Sequence, residues 1–104
     1  MPIVKRIPGY GELELYYIGE IARYVGKNPQ TLRKWERAGV IPRPLFRTAS
    51  KPHGIRLYTR EQMVGMKFLI QKWVKRGRKI PFAFSEEVRK LYQEEERRVY
   101  GSKT

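Results

Sequence analysis

Cysteine and aspartate are absent from this sequence of 104 residues, and histidine occurs once. Without cysteine the chain forms neither a disulfide nor a thiolate metal site, which is typical of a protein in a reducing compartment. The single histidine, His53, has no cysteine or aspartate near it in the sequence that could complete a ligand set. We therefore expect no metal and no cofactor.

The sequence motifs of common enzyme classes are also missing. There is no glycine-rich phosphate loop followed by Lys-Ser/Thr, and there is no nucleophile elbow. Glutamates occur in runs at 86–87 and 94–96, but adjacent positions of a helix point in different directions and are poorly placed to share a metal. The sequence therefore predicts a protein that is not an enzyme.

Long apolar runs are the third absence. No segment approaches the ~20 apolar residues of a membrane span, and the N-terminus lacks the apolar stretch of a signal peptide. We therefore expect a cytoplasmic protein with no membrane partner. A chain of this length forms one domain with a modest core.

Positive charge is what the sequence has in excess, with 23 Lys and Arg against 10 glutamates and a net charge of +13. Residues 1–58 have a net charge of +7 and residues 59–84 of +6, whereas residues 85–104 are neutral. Such a chain attracts polyanions, of which nucleic acid is the first candidate. Basic ribosomal and membrane-surface proteins have similar totals, so charge alone leaves those classes open.

Two short helices separated by a tight break are predicted in the first half of the chain. Apolar residues recur at helical spacing over Ile18–Val25. Asn28 is suited to cap a second helix, Pro29 to its first position and Gly39 to its end. The second helix has apolar residues on one side and a polar, cationic surface on the other. This pattern predicts a helix-turn-helix.

The segments around the two helices predict a small β component. Met1–Gly11 contains prolines and glycines and no helical period, so we expect an irregular arm. Alternating apolar residues predict a short strand over Leu13–Tyr17. Leu45–Arg47 and Ile55–Tyr58 can pair as a β-hairpin, which would form a wing beside the second helix.

Two further helices are predicted in the second half of the chain. Thr59 and Gln62 form a capping box for a third helix that extends to Arg76. Ser85 can cap a last helix over Glu86–Tyr100. The predicted fold class is thus mainly α with a small β-hairpin, a winged helix-turn-helix with a short C-terminal helix. We divide the chain into an N-terminal arm and short strand (1–15), a winged helix-turn-helix domain (16–76), and a linker with a C-terminal helix packed on or near that domain (77–104).

Three segments in this order resemble the DNA-binding domain of the MerR regulators and of related phage excisionases: Tyr17–Ala22, Thr31–Pro42 and Gly54–Tyr58. The resemblance covers about residues 16–76. It implies that the second helix enters the major groove and that the wing contacts the flanking backbone or the minor groove. It also implies that Arg33 and Arg56 contact DNA.

The candidate DNA-binding residues lie on the second helix and the wing. Gln30, Thr31 and Lys34 are expected to contact base edges from the front of the helix, although Lys34 stands where the regulators usually have tyrosine. Trp35 matches a family aromatic that partly packs and partly touches phosphate, and core packing is the more frequent role of such a residue. The full set is Lys27, Gln30, Thr31, Arg33, Lys34, Trp35, Arg37, Arg47, Lys51 and Arg56, with Arg33, Arg47 and Arg56 assigned mainly to the DNA backbone.

The expected function is sequence-preferring binding of double-stranded DNA by a small, nucleoid-associated transcriptional regulator. Only 27 residues follow Gly77, so we expect no effector domain and no small-molecule effector. The alternatives are an architectural DNA binder similar to a phage excisionase or a small terminase, and a basic RNA-binding protein. Glu95 interrupts the apolar stripe of the last helix, which predicts a monomer or weak dimer in free solution and several copies on DNA.

Overall fold

The computed structural model describes residues 3–7, 9–44, 46–47 and 56–101. These residues form four strands and four helices, and the predicted fold class, mainly helical with a small antiparallel β part, is confirmed. In chain order the elements are β1 (Ile3–Ile7), β2 (Gly11–Tyr17), α1 (Ile18–Val25), α2 (Pro29–Arg37), β3 (Phe46–Arg47), β4 (Arg56–Thr59), α3 (Arg60–Trp73) and α4 (Phe82–Tyr100).

The four strands form one antiparallel sheet in the order β1-β2-β4-β3. The prediction of an irregular N-terminal arm was wrong. Residues Ile3 to Ile7 form strand β1, which pairs along the whole length of β1 with Gly11–Leu15 of β2. Ile7 is buried and anchors this strand, and Gly9 takes a left-handed φ of 83° in the turn that follows. Prolines and glycines flank the strand in the sequence, so they bound it and do not interrupt it.

Helix α1 has the predicted bounds, and local signals explain both ends. At its start, the Tyr17 backbone N–H donates to Glu20 Oε1 at 2.9 Å. At its end, Gly26 adopts a left-handed φ of 77°, and its N–H donates to the backbone carbonyls of Ala22 and Arg23 in the last turn. The buried side of α1 is apolar, and it packs against both α2 and α3.

Helix α3 begins as predicted and ends earlier than predicted. Thr59 and Gln62 form the expected capping box, with the Gln62 N–H donating to Thr59 Oγ1 at 3.1 Å and the Thr59 N–H to Gln62 Oε1 at 2.9 Å. The helix stops at Trp73, because Val74 is extended and packs toward the core. Gly77 is left-handed as a glycine stop signal should be, but it lies in the following turn.

Helix α4 begins four residues before the predicted start. Pro81 occupies the N-cap position with its carbonyl accepting from the Phe84 N–H at 3.1 Å, and Ser85 is buried inside the helix. Phe84 and Val88 are fully buried one turn apart. Tertiary burial of these side chains therefore extends the helix beyond the point where the capping residue suggested a start.

Two apolar clusters make up the core, and α4 contributes to both. The larger one lies between α1, α2, α3 and α4, and α3 and α4 approach so closely that a Cβ on Gly65 would lie 2.7 Å from a methyl group of Leu91. The smaller one lies on the sheet and includes Phe46 of β3 and Val99 of α4. A single helix thus supports both the helical and the β part of the fold.

Glu95 does not interrupt the buried side of α4, which corrects the prediction made for this position. Its side chain is only 4% exposed and lies between buried Tyr92 and Val99 along the helix. Arg98 donates to both of its carboxylate oxygens, at 2.9 and 2.8 Å. The charge is buried because it has this partner one turn away.

Candidate nucleic-acid interface

Helix α2 is defined by local signals at both ends. The Asn28 side chain accepts a hydrogen bond from the Gln30 backbone N–H at 2.8 Å, and Pro29 takes the first helical position. At the other end, Gly39 is left-handed with a φ of 78°. The sequence thus fixes where α2 starts and stops before any tertiary contact is considered.

The inner side of α2 is anchored in the core. Leu32 is 2% exposed. Trp35 is partly buried, and its ring meets that of Phe84 edge to face at a centroid distance of 5.6 Å. Trp35 is therefore packed against the start of α4, as expected of a core residue.

The outer side of α2 is polar and cationic. Gln30, Lys34 and Arg37 are exposed and lie three or four residues apart, so their side chains share one face. Thr31 and Arg33 are partly buried and flank this face. We call the exposed set Gln30, Lys34 and Arg37 the α2 face.

The remaining candidates lie around this helix. Lys27 is partly buried in the turn before α2. Arg47 belongs to β3, where it is paired with Arg56 of β4. Lys51 lies outside the described residues. Lys27 thus lies in the turn that precedes α2 in the chain, and Arg47 and Arg56 lie in the hairpin that follows α2.

Arg56 faces α2, which the sequence reasoning did not anticipate. Its Nε donates to Glu36 Oε1 at 2.8 Å, and its Nη2 donates to the same oxygen. The Glu36 side chain is 5% exposed and that of Arg56 is 29% exposed. The hydrogen bonds from Arg56 to Glu36 raise the pKa of the guanidinium above its ordinary value. Helix α2 and the hairpin are therefore joined by a partly buried ion pair.

Helix α4 contacts both α2 and the hairpin through aromatic side chains. Its first turn meets α2 through the contact of Phe84 with Trp35. Its last residue, Tyr100, stacks on Phe46 of β3 with ring centroids 6.0 Å apart and planes at 18°. One continuous helix therefore contacts both α2 and the hairpin.

A second basic segment was not among the predicted site residues. Lys75, Arg76, Arg78 and Lys79 are all exposed in the turn between α3 and α4. Helix α3 ends before Lys75, whose Nζ donates to the Gln71 carbonyl at 3.0 Å. The signal that could have found this segment is the run Lys-Arg-Gly-Arg-Lys itself.

Within the part of the chain that the structure describes, no three His, Cys, Asp or Glu residues are grouped so that they could hold a metal ion. His53 lies outside that part. No helix among the described residues has the length and apolar character needed to cross a lipid bilayer.

The comparisons with known proteins identify the family. Residues 16–83 match the family model described as MerR HTH family regulatory protein, which spans more than half of the chain. Comparisons with curated proteins and with solved structures found no match. Family members are helix-turn-helix proteins that bind DNA and regulate transcription, and they are not enzymes. The matched region contains α1, α2, the hairpin and α3, and the chain therefore belongs to the MerR HTH family of regulatory proteins.

Proposed function

We propose that this chain binds double-stranded DNA with a sequence preference by placing α2 in the major groove. The observation that carries the proposal is the α2 face, an exposed polar and cationic surface on a helix whose opposite side is fixed by Leu32 and Trp35. A rigid helix with exposed side chains of this kind fits the width of the major groove of B-DNA.

The candidate residues divide into two roles. Gln30, Thr31 and Lys34 are assigned to base edges, since a glutamine amide can pair with adenine and a lysine with guanine. Arg33, Arg37 and the hairpin Arg47 are assigned to phosphates, which position the protein without reading sequence. Lys27, Lys51 and the basic turn at 75–79 add to the phosphate contacts in this proposal.

The biological role proposed is transcriptional regulation in the cytoplasm, on nucleoid DNA and without an added effector. The family supports regulation, and the exposure of Lys34 and Arg37 in the chain by itself supports binding without a ligand. Purified protein alone is therefore expected to bind duplex DNA. An architectural role similar to that of excisionases or small terminases is the second candidate.

The first experiment selects bound duplexes from a random pool and measures their affinity by fluorescence anisotropy at several salt concentrations. Each neutralised phosphate contributes about −0.9 to the slope of log K against log salt, so about four to six of the assigned cations contacting phosphate in one complex give a slope near −4 to −5. A slope near zero would exclude DNA binding as the main function. Competition with single-stranded RNA tests the RNA-binding alternative, which predicts that RNA displaces the duplex.

Variants of the α2 face separate base readout from charge. Gln30→Ala should lose affinity for the selected site by roughly 1–3 kcal/mol and keep its affinity for unrelated duplex. Lys90→Gln removes one exposed lysine from the outer surface of α4 and is the matched control for Lys34→Gln. Loss of affinity in Lys90→Gln equal to that in Lys34→Gln would show that α2 is not the contact surface.

The architectural candidate is tested on the same selected duplex. A donor and an acceptor dye at its two ends report bending by energy transfer. A pronounced increase in transfer on binding would favour the architectural role, because such proteins bend DNA to wrap more of it.

A further inference from the structure

A carboxylate of α2 is buried directly behind the proposed DNA surface. Glu36 is next to Arg37 of the α2 face in sequence, yet its side chain turns inward and is 5% exposed. Its Oε1 accepts from both Nε and Nη2 of Arg56, whereas its buried Oε2 has no hydrogen-bond partner among the described residues. Arg56 is therefore the group that compensates this charge.

Arg56 lies at the end of the hairpin, so its pair with Glu36 connects that end to α2. Arg56 is paired with Arg47, and this is the last described pair of the hairpin before its loop. Strand β3 is only two residues long, so sheet hydrogen bonds hold this end of the hairpin weakly. The Glu36–Arg56 pair links the same end directly to α2, across 20 residues of sequence.

We infer that Arg56 is a positioning residue. By donating hydrogen bonds to Glu36, it holds the wing, the hairpin of β3 and β4, at a fixed place beside α2, and it is not primarily a phosphate contact. The inference rests on the proposed function, because a fixed wing matters when α2 and the wing contact one duplex together. A buried carboxylate favours one geometry of its partner, since leaving it unpaired is costly. The resemblance alone had assigned Arg56 to DNA.

Glu36→Gln distinguishes the two roles by the sign of its effect. The substitution removes a negative charge beside the DNA surface and leaves every cation in place. The glutamine oxygen still accepts hydrogen bonds, but they are weaker than those to a carboxylate. If Arg56 were chiefly a phosphate contact, it would be held less strongly at position 36 and binding would become tighter. If the pair positions the wing, binding becomes weaker although the protein is more positive.

The test is a double-mutant cycle of Glu36→Gln and Arg56→Gln on a labelled duplex of mixed sequence, read by anisotropy. Positioning predicts that each single variant binds about 2- to 30-fold more weakly, and that the double variant binds no more weakly than Arg56→Gln. Lys34→Gln is the control, and its effect should multiply with that of Glu36→Gln because Lys34 has no part in the pair. Unchanged or tighter binding by Glu36→Gln overturns the inference.

Arg56→Lys is a second, independent variant, which keeps the charge but not the guanidinium fork. Positioning predicts binding close to that of Arg56→Gln, because one ammonium cannot reproduce the contacts of both Nε and Nη2. Binding close to that of the unmodified protein would assign Arg56 to phosphate and overturn the inference.

Amide hydrogen exchange separates a failure of this inference from a failure of the proposed function. In Glu36→Gln, the amides of Phe46 and Leu57 in the hairpin should exchange faster, while those of the β1–β2 pair stay unchanged and show that the fold is intact. This readout needs no DNA. If the unmodified protein does not bind duplex, the proposed function fails and exchange still tests the pair. Unchanged exchange in the hairpin overturns the inference.

Discussion

Arg98 connects three parts of the molecule through one guanidinium group. It donates to both oxygens of Glu95, contacts Glu61 of α3 at 3.2 Å, and donates from Nη1 to the Tyr10 hydroxyl at 2.5 Å. It therefore ties α4 to α3 and to the turn between β1 and β2. Since Glu95 is nearly inaccessible to water, Arg98 is also the group that makes its charge tolerable.

This arrangement predicts a stability that depends on pH. Burial is the largest single influence on the pKa of Glu95 and raises it, but the hydrogen bonds and positive charge of Arg98, together with hydrogen bonding to Thr59 and Glu61, lower it more. The pKa therefore lies below the ordinary glutamate value. A carboxyl group whose pKa is depressed by folding stabilises the protein fully above its unfolded pKa of about 4.3. That contribution is lost as the pH falls through the lower pKa of the folded state.

Arg98→Gln is expected to lower the free energy of unfolding at neutral pH by about 2 kcal/mol, less than for a fully buried pair because Arg98 is partly in water. Urea denaturation at neutral pH and near pH 3 measures the effect. At the lower pH the loss should shrink, because Glu95 of the variant is protonated and no longer needs a partner. In a Glu95→Gln background the same substitution should have a smaller effect, because only the contacts of Arg98 with Glu61 and Tyr10 are then lost. An equal loss at both pH values would contradict the assignment.

At the scale of elements, the start of α2 depends on one exposed side chain. Asn28 accepts the Gln30 N–H, which has no carbonyl partner within the helix. Asn28→Ala should therefore reduce the free energy of unfolding by about 1 kcal/mol, whereas Asn28→Ser should retain most of it. Thermal or urea denaturation of the two variants provides the comparison. Equal destabilisation by alanine and serine would show that the cap contributes little.

Element boundaries were predictable where a local signal sets them. Asn28, Gly26 and the Thr59–Gln62 box mark helix ends through hydrogen bonds within a few residues, and the structure has those bonds. The end of α3 and the start of α4 were missed. They depend on where Val74 and Phe84 enter the core, which is a tertiary property that a residue pattern does not contain.

The candidate site divides in the same way. Helical periodicity assigned five side chains to the surface opposite the apolar positions of α2: Gln30, Thr31, Arg33, Lys34 and Arg37. Three of them, Gln30, Lys34 and Arg37, are exposed, whereas Thr31 and Arg33 are partly buried. The partnership of Glu36 with Arg56 could not be predicted from spacing, since it forms only when the hairpin packs beside the helix. DNA contact by the predicted residues stays a prediction.

At the scale of the whole molecule, the outer side of α4 is polar, whereas α3 exposes apolar side chains. The large apolar residues of α4 between Phe84 and Val99 face inward, and so does Glu95, whereas Phe82 and Tyr100 at its two ends are exposed. Glu86, Lys90 and Gln93 are exposed on its outer side. Val64 and Phe68 are exposed together on α3. Together with Val4, Tyr10, Tyr24, Phe82 and Tyr100 they make seven exposed large apolar side chains among the described residues, fewer than the roughly 20–30 residues that each partner contributes to a standard interface.

We therefore expect a monomer or weak dimer in free solution, with self-repulsion from the net charge of +13 opposing association. On DNA that charge is neutralised, and two or more copies are expected to bind adjacent sites. Analytical ultracentrifugation at low micromolar concentration and physiological salt, with and without duplex, tests both statements. A single sharp dimer species without DNA would contradict the first.

The pairing of β2 with β4 has a consequence for synthesis of the chain. Leu15 of β2 lies opposite Thr59 of β4, so the sheet closes a loop that contains α1, α2 and β3. During translation, β2 leaves the ribosome long before its partner. The sheet pairing that encloses the helix-turn-helix can form only after Thr59 has emerged from the ribosome. A nascent chain stalled before that point should therefore be unable to bind duplex DNA as the full chain is proposed to do, whatever the state of α2.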